Sequence, residues 1–135
     1  MIVMKALSSK PVRNLPVGAM LTCADNSGAK IFQIVSVRGY KGIRRTKPQA
    51  GIGSLVKCRV YKGNEKVMHE LFHVVIVRQK KDYRRADGSW IAFEDNAGVV
   101  VSEKFEAKGT VIKGPVAREA VERFPAIGKI ARTVV

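Results

Sequence analysis

The chain has 135 residues, 46% of them hydrophobic, and sets 25 Lys and Arg against 11 Asp and Glu for a formal net charge of +14. That length suits one domain burying about two-thirds of its unfolded surface, and the charge argues against a neutral small-molecule enzyme, favouring nucleic acid first and an acidic membrane surface second. No apolar run approaches the ~20 residues of a membrane span, and Met1–Leu7 lacks the basic, apolar, small-residue order of a signal peptide, so no membrane partner is expected.

Residues 1–16 read as an N-terminal extension in which Ser8, Ser9, Pro11 and Pro16 break any regular element. It is either a partly ordered arm or one that orders against RNA or a neighbouring protein. Residues 17–135 contain no linker and no internal repeat and are read as a single domain. Met20–Ala24 is a short strand, and Asp25-Asn26-Ser27-Gly28 follows with strong turn chemistry. Lys30–Val37 is a second strand, apolar on both faces except at Gln33 and Ser36. Gly39–Gly53 is a basic, glycine-rich loop. In Ser54–Tyr61, Val56, Cys58 and Val60 point one way and Lys57, Arg59 and Tyr61 the other, the period of a half-exposed strand. Cys23 and Cys58 lie inside apolar strand-like runs and are expected as buried free thiols.

Between Asn26 and Asn64 there are nine basic residues and no acidic one: Lys30, Arg38, Lys41, Arg44, Arg45, Lys47, Lys57, Arg59 and Lys62. Such a stretch repels itself unless a polyanion is bound, and counterion release from a phosphate backbone is the common return on that charge. Because strand-like runs interrupt the stretch, the cations are mounted on a folded β scaffold.

Leu71–Val77, nearly all apolar and β-branched, is a central strand. It runs into Arg78–Arg85, where Arg78, Lys80, Lys81, Arg84 and Arg85 make five of eight residues basic. Asp87-Gly88 supplies a hairpin turn, and Trp90–Phe93 returns. A solvated edge that blocks aggregation is the alternative for this octet, but an edge needs one or two lysines. Ala97–Ser102 is a further strand. Only the end is helical: Pro115 suits the first helical position, and Val116, Ala120 and Phe124 share a face. Glu119–Arg123 and Arg118–Glu122 are i,i+4 pairs on the remainder, and Pro125 ends the helix. Its charge-balanced face, Arg118, Glu119, Glu122 and Arg123, suits a protein contact better than phosphate. Five or six strands with one or two short helices fit a small closed β-barrel.

No constellation supports catalysis. His69 and His73 on a strand would stand ~13 Å apart, too far for one metal. Adjacent Glu94 and Asp95 would face opposite ways. Gly51-Ile52-Gly53 lacks the rest of a dinucleotide fingerprint, and Ser27, Ser36 and Ser54 lack nucleophile-elbow context. No catalytic residue, metal or cofactor is expected. Phe32, Phe72, Trp90 and Phe93 lie in apolar runs and read as core, leaving only Tyr40 and Tyr83 among the cations. Phosphate contact and shape readout therefore fit better than base stacking.

Four segments together resemble the family of universal large-subunit ribosomal protein fourteen. They are Thr22-Cys-Ala-Asp-Asn-Ser-Gly-Ala; Val74-Val-Ile-Val-Arg-Gln-Lys-Lys with Arg84-Arg-Ala-Asp-Gly; Phe93-Glu-Asp-Asn-Ala; and Gly109-Thr with Gly114-Pro-Val-Ala-Arg-Glu. The similarity runs from about Met20 to the C-terminus. The N-terminal extension and Phe-Glu-Asp-Asn-Ala-Gly resemble the archaeal and eukaryotic branch. The resemblance implies a mainly β fold: a five-stranded β-barrel, a projecting basic β-ribbon and two small C-terminal helices. It also implies a structural role in the cytoplasmic ribosome, bound to large-subunit rRNA at the face that meets the small subunit. Its implied partners are neighbouring large-subunit proteins, small-subunit rRNA across the interface and the subunit anti-association factor. The hairpin around Arg78–Gly88 is the candidate ribbon. Ala86 stands where the family usually has proline, and Ser54 where it usually has an acid. The rivals are a single-strand RNA barrel, which would rely on Tyr40 and Tyr83, and an enzyme, which would need a titratable cleft.

Overall fold

The computed structural model describes residues 11–39, 42, 44 and 46–135; expectations placed on residues 1–10, Tyr40, Lys41 and Arg45 lie outside them. In chain order the first elements are β1 (Leu15–Pro16), β2 (Met20–Cys23), β3 (Ala29–Val37), β4 (Gln49–Ala50) and β5 (Leu55–Gly63). There follow β6 (Leu71–Arg78), β7 (Tyr83–Arg84), β8 (Trp90–Ile91), β9 (Ala97–Val101) and β10 (Ile112–Val116). The chain ends in α1 (Arg118–Arg123), α2 (Pro125–Ile130) and β11 (Ala131–Val134). No helix among the described residues is long and apolar enough to cross a membrane.

The runs read as strands close on themselves in the order β2-β3-β5-β6-β9, with β2 and β9 parallel and the other pairs antiparallel. Alternation decides what fills the barrel: Leu21, Phe32, Ile34, Val56, Cys58, Val60, Val74, Ile76 and Val100 point inward. Closure brings β9 close to its neighbours at Gly98, where a Cβ would run into the Val74 side chain. The unbroken apolar character of β6 and β9 has a separate cause. Their other face, Val75, Val77, Val99 and Val101, is covered by Ile112, Val116, Ala120, Phe124 and Ile127 from the C-terminal region. Apart from Ala120, each such side chain contributes ~1.5–3 kcal/mol by leaving water, so the C-terminal elements form a second layer on one wall.

Two pairings join distant segments. β1 pairs with β4, and Leu15 is buried with the barrel core. β10 pairs in parallel with β11. That second pairing corrects the expected helix start: Pro115 is inside β10, opposite Thr133, and α1 begins at Arg118. Val116 is buried beside Ala120 and Phe124 as expected, but from a strand. Pro125, expected to end the helix, also opens α2. The hairpin has only two residue pairs, Tyr83↔Ile91 and Arg84↔Trp90. Its turn is closed by Gly88 N–H to the Arg85 oxygen at 2.9 Å, and Gly88 has φ +93°, a conformation glycine adopts without a Cβ clash.

Candidate nucleic-acid interface

Among the described residues, strand alternation and loop position leave nine of the candidate cations exposed: Lys30, Arg38, Arg44, Lys47, Lys57, Lys62, Lys80, Lys81 and Arg84. Lys57 and Arg59 point outward from β5. Arg59 is half-buried, donating from Nε to Gln33 Oε1 at 2.8 Å with its guanidinium 5.9 Å from the Tyr61 ring centroid. The main chain at Lys80 and Lys81 is pinned from below. Buried Gln79 donates to the Lys81 oxygen at 3.0 Å and accepts from Ile52 N–H at 3.0 Å, while Asn96 accepts from Lys80 N–H at 2.8 Å. The two ammonium groups thus stand on a fixed base, although Lys81 shares an exposed 3.2 Å pair with Asp82.

Two arginines assigned to RNA are not available to it. Arg78 is 8% exposed. It donates from Nε to Asp95 Oδ1 at 2.9 Å and from Nη1 to the oxygens of Lys113 (2.8 Å) and Pro115 (3.2 Å). It holds the end of β6 against β10, and Gly114 (φ +80°) makes room, since a Cβ there would strike Nη1. Arg85 is equally enclosed. It donates from Nε to Glu119 Oε1 at 2.8 Å and from Nη2 to the Val135 main-chain oxygen at 2.6 Å. The Tyr83 hydroxyl donates to Glu119 Oε2 at 2.9 Å. Burial first, and then the Glu119 carboxylate, push the Tyr83 phenol up to about 12. This network bolts the hairpin onto α1 and keeps its base from standing free.

The same network corrects the protein-contact face, because Glu119 is 3% exposed and engaged inward. Arg123 is half-buried, donating from Nη1 to the Gly53 oxygen at 3.3 Å, and burial lowers its pKa, with Arg13 adding to the shift. The exposed remainder is Arg118 and Glu122, whose Nε and Oε1 are 3.9 Å apart. Aromatic placement is inverted as well: Tyr83, expected among exposed cations, is fully buried, and Trp90, expected in the core, is 63% exposed. Phe72 and Phe93 are half-buried, Phe72 with the Lys108 ammonium 4.1 Å from its ring centroid.

Asp25 is a hub that charge counting passes over. Its Oδ1 accepts from the Ser27 hydroxyl (2.7 Å) and the Cys23 thiol (2.9 Å), and its Oδ2 from Val100 N–H at 3.0 Å. Asn26 clasps Thr110 through a side-chain pair and a main-chain N–H, both at 2.8 Å. The four segments that carry the family resemblance are therefore tied to one another: 22–29 to 109–110, Arg78 to Asp95, and Arg85 to Glu119. Both cysteines are free, and burial pushes each thiol up to about 12, for Cys23 with help from Asp25.

Among the described residues, no group of three or more His, Cys, Asp and Glu side chains is brought together that could hold a metal ion. His69 lies in the turn before β6 with φ +63°, apart from His73 within the strand, and Glu94 and Asp95 occupy a bend between β8 and β9. A cleft of about 600 Å³ is lined by Arg78, Phe93, Glu94, Asp95 and Lys113–Pro115. Its arginine is consumed by Asp95 and two main-chain oxygens, and no nucleophile with a base lines it.

Comparison with known proteins places the chain in a family. Residues 14–135 match the family described as ribosomal protein L14p/L23e. The chain is 52% identical over 132 residues to the large ribosomal subunit protein uL14 of Methanoregula boonei, covering 98% of this chain and all of the relative. It is 46% identical over 131 residues to the proteins of the same name from Methanococcus vannielii and Methanococcus maripaludis, in each case 97% of this chain and 99% of the relative.

Proposed function

Because this chain belongs to the ribosomal protein L14p/L23e family, we propose that its exposed cations hold large-subunit rRNA by phosphate contact. The protein is a structural constituent of the large subunit of the cytoplasmic ribosome and serves translation without being an enzyme. The observation that carries the rRNA reading is the separation of its charges. Arg78 and Arg85 are spent on internal carboxylates, whereas Lys30, Arg38, Arg44, Lys47, Lys57, Lys62, Lys80, Lys81 and Arg84 stand in solvent. Solvent-facing cations of a folded scaffold fit a partner that supplies the anions, two of them with a weaker partner of their own: Lys81 pairs with exposed Asp82, and Arg38 lies 5.5 Å from the Phe105 ring centroid. Arg59, half-buried beside Gln33, joins them at the edge of the patch. Lys41 and Arg45 belong to the same basic loop by sequence.

The finer partners are inferred from the family resemblance, and the exposed charges are compatible with them. Neighbouring large-subunit proteins and the subunit anti-association factor suit Arg118 and Glu122, the exposed balanced pair of α1, since paired charges set specificity without attracting phosphate. The cations not used on the large-subunit rRNA suit small-subunit rRNA across the interface. Residues 17–135 act as one domain, with Leu15–Pro16 laid along it. Sedimentation tests the reading: the native protein should travel with the large subunit through a high-salt gradient. Free protein at the top of that gradient would overturn it.

A further inference from the structure

Trp90 sits on β8 with 63% of its surface exposed, more than any other large apolar side chain among the described residues. Its exposure follows from the two-residue hairpin. Tyr83 and Ile91 face each other and turn inward, Tyr83 fully buried and Ile91 packed against the barrel core. Alternation then sends the other pair, Arg84 and Trp90, to the opposite face. Both are exposed. Beneath them the hairpin is held by the Tyr83 and Arg85 bonds to Glu119 and by the closed turn at Gly88. The indole is therefore mounted on a fixed ribbon, with Arg84 its partner across the ladder, the guanidinium reaching toward Gly88 at the turn, and Lys80 and Lys81 in the segment that leads in.

We propose that Trp90 is a stacking platform for an unpaired base of the bound RNA, with Arg84 across the ribbon holding an adjacent phosphate. The proposal rests on the rRNA reading above and adds a base contact to it. An indole offers the largest π-face of any side chain, stacking tolerates any base, and a flanking cation positions the backbone. A protein partner would also value an exposed tryptophan. The cations beside it, Arg84, Lys80 and Lys81, favour a polyanion.

Trp90 is the only tryptophan in the chain, so its emission reports this position alone. The full-length protein is titrated with deproteinised large-subunit rRNA and, separately, with heparin, a polyanion without bases. The rRNA should quench the indole and heparin should not. Trp90→Ala should weaken rRNA binding by about 5–150-fold, the equivalent of ~1–3 kcal/mol of stacking. Trp90→Phe should keep most of the affinity. Neither variant should change heparin binding or the salt dependence of rRNA binding, because stacking releases no counterions. An unchanged melting profile for Trp90→Ala establishes that the fold is intact. Trp90→Ala binding rRNA within twofold of the parent, or an indole unquenched by rRNA, overturns the platform. If the salt dependence stays steep in that case, the phosphate reading stands alone. A variant normal for rRNA but poorly incorporated into subunits would make Trp90 a protein contact and equally overturn the proposal. Weak rRNA binding by the parent itself, with little salt dependence, would instead fault the rRNA reading on which the platform rests.

Discussion

Replacing Arg85 by methionine removes the cation from the Tyr83–Arg85–Glu119 network and keeps much of the side-chain volume. Four hydrogen bonds go with it: to Glu119 Oε1 at 2.8 Å and Oε2 at 3.3 Å, to the Tyr83 hydroxyl at 3.4 Å, and to the Val135 oxygen at 2.6 Å. Glu119, 3% exposed, retains the Tyr83 hydroxyl as a donor but loses its counter-charge. Removing one partner of a buried pair costs ~3–5 kcal/mol, because the survivor stays desolvated. In a domain of this length 1 kcal/mol moves the midpoint by roughly 3–5 °C, so Tm should fall by ~10–25 °C. Arg84→Met is the matched control one residue away. Arg84 is exposed, so its loss should change stability by no more than ~0.5 kcal/mol while reducing the salt slope of rRNA binding by about 0.9. Circular-dichroism melts of the two variants in one buffer compare them directly. If Arg85→Met melts with the parent, the buried pair is not a bolt. If Arg84→Met is the one that unfolds early, the assignment of the two arginines is reversed. The double variant Arg85→Met/Glu119→Met should recover part of the loss, since two apolar groups replace a half-broken ion pair.

Glu122→Lys should leave rRNA binding intact or slightly tighter and impair subunit joining or docking of the anti-association factor, as scored by gradient profiles. Wild-type behaviour in both would make α1 simply a cover for the barrel wall. The Tyr83 phenol, raised to about 12 from 10 by burial and Glu119, keeps its proton in the native state where an unfolded chain has lost it. That stabilisation is complete below pH ~10 and disappears as pH rises toward about 12. Tyr83→Phe should therefore lose less stability than the parent between those limits in alkaline melts, and identical pH profiles would contradict it.

The barrel was legible because it depends on local alternation. Val56, Cys58 and Val60 against Lys57, Arg59 and Tyr61 is a period-two signal, and β5 carries it as read. The continuous run Val74–Val77 also announced a strand, and the fold supplies the reason: the interior on one side, the C-terminal layer on the other. What escaped was long-range pairing. Pro115 has the local chemistry of a helix start, but β11 captures it into a parallel pair that no nearby residue announces. The site was legible in its charge and not in its allocation. Five cations in Arg78–Arg85 look equivalent until their partners are known, and Asp95 and Glu119 lie 17 and 34 positions away. One signal was available: in Tyr83-Arg84-Arg85, strand alternation alone puts Arg84 opposite in direction to the other two. Following it across the turn would have moved Trp90 out of the core and Tyr83 into it.

The central claim is that phosphate contact by exposed cations holds this protein to its RNA, and a salt titration of the isolated protein on large-subunit rRNA addresses it most directly. The nine exposed candidates among the described residues fall within the range of about 6–10 phosphates, for which affinity should drop roughly 10³–10⁵-fold between about 50 and 200 mM salt. A nearly flat titration would contradict it.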